Sequence, residues 1–439
     1  MATIGVLVPV SPGHLNPMNS LGRELAARGH RVVVATVLDT QDAVLASGLE
    51  AVILGAEPFP LGSMPEMHAK LGRLQGWAAL RYTLEVMGRF AQILLDETPD
   101  AFRALGVDFL LVDQAAPGGP AVAEFLDIPY VTVANALMFN IEFAIPPATT
   151  PWQPARSVWT RARNVLAFLA MRQALGPLIK IVVDHRKAWG LPLKPDPANW
   201  FSPFAEVSQS PPEFEFPRAK LPPHFHFTGP FQDPRARAPV PFPFEALDGR
   251  PLVYASMGTL QNRMLWVFRA IAEACDGLDV QLVISLGGSA DPEVLGKLPG
   301  DPLVVRAAPQ LELLDRAALT ITHAGMNTAM ESLARGVPMV AIPITNDQPG
   351  VAARIEWTGT GLVIPPKRLT AAKLRKAITR VLAEPTFKAN AILLKEAIAR
   401  SGGIRQAADV VEKVLETRRP VLAEGFKAST AEPSGRPGP

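Results

Sequence analysis

His14 stands in the stretch Pro9-Val-Ser-Pro-Gly-His-Leu-Asn-Pro17, directly after the apolar run Ile4–Val8. A side chain at the carboxyl end of a first buried strand faces the crevice where open α/β sheets bind ligands. Imidazole titrates near neutrality, which suits a general base. A capping or loop histidine would occupy the same place. Asp113 closes a second apolar run, Phe109-Leu-Leu-Val-Asp113. Two strand-end residues of one sheet can meet although distant in sequence, and a carboxylate there would orient the imidazole. An aspartate capping the Gly118–Leu126 region is the competing reading.

A second constellation lies between Ala307 and Pro349. Its centre reads Leu319-Thr-Ile-Thr-His-Ala-Gly-Met-Asn-Thr-Ala-Met-Glu331, followed by Gly336-Val-Pro-Met-Val-Ala-Ile-Pro-Ile-Thr-Asn-Asp-Gln-Pro349. The apolar run ends at Thr322, His323-Ala-Gly325 turns, and a helix starts near Asn327 with that side chain as its N-cap. Helix N-termini carry unpaired N–H groups and partial positive charge, so this turn suits a phosphate. Ser256-Met-Gly-Thr259 is another strand-end turn with hydroxyls and N–H groups for the same kind of ligand. Gly287-Gly288-Ser289 reads as a packing turn. No Asp-x-Asp triplet occurs and the seven histidines are scattered, so no metal site is expected.

The elements that must hold these residues alternate strand and helix, the mark of a parallel doubly wound sheet. Ile4–Val8, Arg31–Thr36, Ala51–Leu54, Phe109–Val112 and Tyr130–Val133 read as strands. Asn16 and Pro17 read as N-cap and N1 of the first helix, which ends at Gly29. Val158 to Lys187 is a helical insertion, both basic and apolar. It would wall a cleft or, in the second reading, touch a membrane surface through 156–187. Prolines 230, 234, 239, 241 and 243 mark 229–248 as an extended linker. A second alternation then begins: Val253–Ser256, Val280–Ser285, Leu303–Val305, Leu319–Thr322, Met339–Ile342 and Leu362–Ile364 read as strands. Three helices close the chain, near 371–383, 387–400 and 404–417. The Pro/Gly-rich end, 420–439, is expected to be disordered.

Length and composition narrow the classes. The 439 residues fit two domains, and 48% hydrophobic content supplies their cores. A net charge of +2 lacks the basic excess of a nucleic-acid binder. The single cysteine, Cys275, excludes an intrachain disulfide and reads as core. No secretory leader is read, and no apolar run approaches the length that crosses a bilayer. A cytoplasmic location is expected, with membrane-peripheral contact as the alternative.

Taken in order, these motifs resemble the UDP-sugar glycosyltransferases of family 1. The resemblance runs from Ile4 to about Thr417. It rests on Gly13-His14…Pro17, Val112-Asp113-Gln114, His224-Phe-His-Phe-Thr-Gly-Pro230, Thr322–Glu331 and Pro343–Pro349. It looks most like bacterial and cyanobacterial members of the zeaxanthin-glucosyltransferase and macrolide types. The resemblance implies the GT-B fold: 1–228 binding acceptor, 249–402 binding nucleotide sugar, and 403–419 crossing back as a helix onto the first domain. It implies His14 as base and Asp113 as its partner. It also implies Gln310 at the uracil, and His323, Gly325, Asn327, Thr328 and Thr259 around the diphosphate. Glu331 falls at the ribose, and Asp347 and Gln348 at the sugar. Ala307 and Met326 stand where plant members carry tryptophan. A glutamine at the place of Gln348 goes with glucose in plant members, so the resemblance implies a preference for that sugar.

The expected activity is an inverting, metal-independent transfer from a UDP-sugar, which is a substrate and not a cofactor. The partner is a small hydrophobic acceptor such as a carotenoid, terpenoid or phenolic. Phe59, Met64, Trp77, Phe139, Phe143 and Trp152 are the candidate acceptor wall. A lipid-linked sugar transferase at the membrane and a non-catalytic nucleotide-sugar-binding module are the rivals. A dehydrogenase lacks its glycine fingerprint here.

Overall fold

In the computed structural model, residues 1–71, 74, 76–233, 235, 239–258, 264–288 and 290–423 are described. Thirteen strands among them form two all-parallel sheets. The first holds β1 (Thr3–Leu7), β2 (Arg31–Thr36), β3 (Glu50–Ile53), β4 (Phe109–Asp113), β5 (Tyr130–Ala134), β6 (Glu206–Ser208) and β7 (Phe225–Phe227) in the order β3-β2-β1-β4-β5-β6-β7. The second holds β8 (Leu252–Ser256), β9 (Gln281–Ser285), β10 (Leu303–Val305), β11 (Ala317–Thr322), β12 (Met339–Ala341) and β13 (Gly361–Val363) in the order β10-β9-β8-β11-β12-β13. Strands covered by helices on both faces must be apolar throughout. Phe109-Leu-Leu-Val-Asp113 and Leu252-Val-Tyr-Ala-Ser256 are buried at every position, including the polar last residue.

Strand order explains where chemistry can sit. It reverses between β1 and β4 and again between β8 and β11, and crevices open at such switch points. Leu7 pairs with Val112, so the residues just beyond them emerge side by side. Thr322 pairs with Ser256 in the same way. His14 and Asp113 therefore belong to one switch point, and His323 and Ser256 to the other.

The two halves interlock. Phe214 and Leu137 from the first half share a core with Met326, Ala329, Val351 and Ile355 from the second. Arg354, 1% exposed, forms an ion pair with Glu215, 2% exposed, and Arg218 lies 3.5 Å from the same carboxylate. The Gly403–Thr417 helix returns to the first half. Its Ala407, Ala408, Val410, Val411 and Val414 pack with Ile4, Val6 and Leu21, while Arg28 pairs with Asp409 and Glu412.

Three expectations change. The first helix spans Pro12–Ala27 and starts four residues before Asn16, because Pro12 and not Pro17 takes the N1 place. The 229–248 connection is held and not merely spaced: Asp233 pairs with Arg23, and Phe242 and Phe244 pack beside Leu252 and Tyr254. The end of the chain is pinned through 423, since Val421 N–H donates to the Phe204 carbonyl and Ala423 N–H to that of Pro223. Residues 424–439 lie outside the described residues.

Candidate active site

His14 occupies the first turn of the Pro12–Ala27 helix. Its Nδ1 lies 2.8 Å from Asp113 Oδ2. Asp113 is fully buried, and its other partners fix it: Ala115 N–H donates to Oδ1 at 2.7 Å, and Asn135 Nδ2 to Oδ2 at 2.7 Å. A carboxylate accepts only, so it selects the tautomer with hydrogen on Nδ1. Nε2 is then the basic nitrogen. Burial pulls the His14 pKa down, but the charge and hydrogen bond of Asp113, with Asp347 beyond, carry it above the ordinary histidine value. Asp347 comes from the opposite half and directly precedes the Gln348–Trp357 helix, with no capping hydrogen bond from its side chain. Burial raises its own pKa, against the charge of His14 and hydrogen bonds that include the Leu137 backbone.

His323 follows β11, and its ring is wedged between two glycines. A Cβ on Gly325 would stand 2.4 Å from His323 Nε2, and a Cβ on Gly258 2.6 Å from the same atom. Gly325 thus makes room for the ring and caps the Met326–Ala334 helix. Ala324 between them is left-handed at φ 64, a conformation costing alanine about 1 kcal/mol. Burial lowers the His323 pKa to about 4, against a hydrogen bond to the Ser256 backbone, so the ring is neutral at pH 7.

Asn327 is not the N-cap that the sequence suggests. The helix starts one residue before it, and its side chain reaches across to the first half. Nδ2 donates to the Gly13 carbonyl at 3.0 Å, and Oδ1 accepts from Gln209 Nε2 at 3.0 Å. Pro17 explains the vacancy at Gly13. It sits inside the helix and has no N–H for the carbonyl four residues back, which is that of Gly13. Gln209 Nε2 also donates to the Asn135 carbonyl. Asp113, Asn135, Gln209, Asn327, Gly13 and His14 therefore close a ring of neighbours around the crevice. Neither Asn135 nor Gln209 is signalled by the sequence, beyond following strand ends.

Gln310, Thr328 and Glu331 also meet. Gln310 Nε2 donates to Glu331 Oε2 at 2.6 Å, and Tyr254 Oη donates to Gln310 Oε1 at 3.1 Å. Tyr254, inside β8, was not anticipated. Gln348 Oε1 accepts from Ile344 N–H and Thr345 N–H at 2.8 and 3.0 Å, so it shapes the turn that presents Asp347. Thr259 lies outside the described residues, as does the side chain of Trp77.

The acceptor wall divides. Phe59 and Met64 are 1% and 6% exposed and pack in the core under the first sheet with Leu54 and Ile93, so they do not line a cleft. Phe139 and Phe143 are 42% and 43% exposed. Phe139 N–H donates to Gln114 Oε1 at 3.1 Å, beside Asp113, and Trp152 packs under Arg163. No group of three or more His, Cys, Asp or Glu suited to a metal occurs among the described residues.

Comparison with known proteins gives a consistent picture. The family model described as UDP-glucoronosyl and UDP-glucosyl transferase matches residues 205–399. A zeaxanthin glucosyltransferase of Pantoea ananas is 31% identical over 434 residues, covering 96% of this chain and 98% of that protein. A demethyllactenocin mycarosyltransferase of Streptomyces fradiae is 31% identical over 435 residues, covering 94% and 87%. Among solved structures, the calicheamicin glycosyltransferase CalG4 superposes with a TM-score of 0.74 at 23% identity, covering 96% of this chain and all of that one. The glycosyltransferase VinC in complex with dTDP gives 0.69 at 21% identity, covering 94% and 99%. These structures share the GT-B fold with this chain.

Proposed function

Given that this chain belongs to the UDP-glucoronosyl and UDP-glucosyl transferase family, we propose that it moves glucose from UDP-glucose to a hydroxyl of a small apolar acceptor, inverting the sugar carbon and using no resident metal. His14 Nε2 takes the acceptor's hydroxyl proton. The freed oxygen pair bonds to the anomeric carbon from one face as the bond to the diphosphate oxygen breaks on the other. UDP leaves with that electron pair. Asp113 holds the imidazolium that forms. Backbone N–H groups at the start of the Met326–Ala334 helix, the Thr328 hydroxyl and the neutral His323 ring face the departing charge. Donors fixed in place before the reaction stabilise it without reorganising.

One observation carries this reading: the base and the phosphate-type turn lie on opposite halves yet meet, through Asn327 and the Gly13 carbonyl next to His14. Gln310 and Glu331, hydrogen-bonded together, support a nucleoside further along the same helix. Asp347, whose charge acts on His14 from the opposite half, supports a sugar near both. The name of the Pantoea relative supports a hydroxylated carotenoid as one acceptor class. The test is product analysis by mass spectrometry with UDP-glucose, other UDP- and dTDP-sugars and a panel of apolar alcohols, with and without chelator. A β-glucoside from α-linked donor, formed equally with chelator, is expected. An α-product, or loss of turnover on chelation, overturns the corresponding part.

Two substitutions probe the parts separately. Asp113→Asn removes the charge that raises the His14 pKa. Activity appears as His14 loses its proton, so the acid limb of kcat/KM lies above the ordinary histidine value and moves to lower pH in the variant. The plateau drops about 10²–10⁴-fold, because the amide no longer enforces the productive tautomer. An unmoved acid limb would assign it to another group. Gly325→Ala forces the His323 ring out of its slot, and Gly258 blocks retreat on the other side. Calorimetry should show UDP binding weakened about tenfold or more, the size of a lost hydrogen bond to a charged group. Unchanged affinity would remove His323 from the diphosphate site.

A further inference from the structure

We propose that the exposed face of the Val158–Ala174 helix docks on a bilayer rich in anionic lipid and receives membrane-dissolved acceptor for the cleft. Val158, Trp159, Leu166 and Leu169 are 81%, 84%, 67% and 57% exposed. At about 100° per residue they fall on one side of the helix. The other side is fastened down: Asn164 is fully buried and donates to the Phe143 carbonyl at 3.1 Å, and Phe168 packs edge-on against Phe143. The apolar face is thus held outward, with no covering element among the described residues.

Charge selects what covers it. From 156 to 183 there are five basic residues and no acidic one. Arg161 and Arg172 border the apolar face. Arg172 pairs at 3.4 Å with Asp196, both half exposed, and Arg163 lies over the Trp152 ring. A basic helix with tryptophan and leucine on its outer side lies in the headgroup layer of an anionic membrane. A second copy of this chain would set like charge against like. No single helix among the described residues is long and apolar enough to cross a membrane, and this helix bends by 59° into the next, Gly176–Ala188. From Phe143 the chain runs back through exposed Ile141 and Phe139 to the Phe139 N–H, which donates to Gln114, the neighbour of Asp113. That apolar path gives a lipid-borne alcohol a route to His14. Delivery rests on the acceptor reading above, whereas docking does not.

The test uses the full chain with sedimenting vesicles of phosphatidylcholine alone or with about one-third phosphatidylglycerol, a composition that supplies the anionic surface such helices bind. The expected result is cosedimentation with the anionic vesicles, weakened by salt, and lost in Trp159→Ser/Leu166→Gln. Both positions are on the surface, so the melting curve should not move. Turnover of a water-soluble acceptor should stay unchanged in this variant, while turnover of the same alcohol class dissolved in vesicles falls about tenfold, as expected when effective concentration at the site is lost. A wild-type protein that stays in the supernatant with both vesicles overturns the proposal. So does a variant that binds as well as wild type, or a lipid-free dimer that the variant dissolves. Retained docking with no turnover of any acceptor would uphold the docking and reject the acceptor reading.

Discussion

His14→Ala lowers turnover by about 10²–10⁴-fold while leaving UDP affinity near that of the unaltered protein. The two effects separate because the ring and the diphosphate turn belong to different sheets. In the proposed reaction His14 contributes proton removal at its Nε2. His323, the Met326–Ala334 helix and Gln310 are untouched by the change. Asn327 is untouched as well, since it bonds to the Gly13 carbonyl and not to the His14 side chain. Single-turnover rates and UDP titration, made on the same preparation, check both halves of the expectation. Near-normal turnover at saturating substrate would mean that another group, or water, removes the proton. Equal loss of UDP binding would mean that the ring supports the donor and not the reaction.

Glu215→Ala destabilises the protein by about 3–5 kcal/mol, the cost of leaving a buried charge without its partner. Here two cations lose their nearest anion. Arg354 is 1% exposed and Arg218 5%, and both face the Glu215 carboxylate. Arg354 keeps the Gly350 carbonyl and the Phe216 ring beneath it, which do not neutralise it. Replacing Glu215 and Arg354 together by leucine should recover part of the loss, because the pair then disappears as a unit. Urea unfolding measures both. A loss under about 1 kcal/mol in Glu215→Ala would place the pair among weak surface bridges. Acid provides a second view. Burial raises the Glu215 pKa, but Arg354 and Arg218 outweigh it and hold the group below its ordinary 4.5. Its contribution is therefore complete above that value and fades as pH falls through the lowered one.

Strand ends were the legible part of this sequence. Apolar runs that stop at a polar residue located Asp113, Ser256 and Thr322, and all six strands of the second sheet were read within a few residues. His14 was legible because it follows the first such run. Its helix was placed too late, since Pro12 and Pro17 both satisfy the rule for a first helical position and only the folded chain chooses. The neutral amides were illegible. Gln209 follows β6, a strand of three residues, too short for alternation to show. Asn135 has no partner within its own neighbourhood; its meaning comes from Asp113 and Gln209. Asn327 looked like a cap because that is the local use of asparagine, while the use it has depends on a carbonyl left vacant by a proline over three hundred positions away. Phe59 and Met64 were misplaced for a related reason: a Pro/Gly-rich loop does not reveal which of its side chains turn inward.

The buried Glu215–Arg354 pair also decides where two relatives can be recombined. The 229–248 connection is the visible seam between the halves, yet a junction there takes Glu215 from one parent and Arg354 from the other. If either parent lacks its member, the hybrid seals a lone charge at its seam. A junction just ahead of residue 205, where the family model begins to match, keeps Gln209, Glu215 and Arg218 with Asn327 and Arg354. Several contacts that still cross this junction end on main-chain atoms: the Gly13 and Asn135 carbonyls, the Leu137 N–H and the Ala353 carbonyl. Main chain is supplied by any sequence. Libraries of the first two hundred residues that keep Arg23 and Arg28 for Asp233, Asp409 and Glu412 can therefore be exchanged on a constant remainder, varying what enters the crevice while the Glu215–Arg354 pair stays whole.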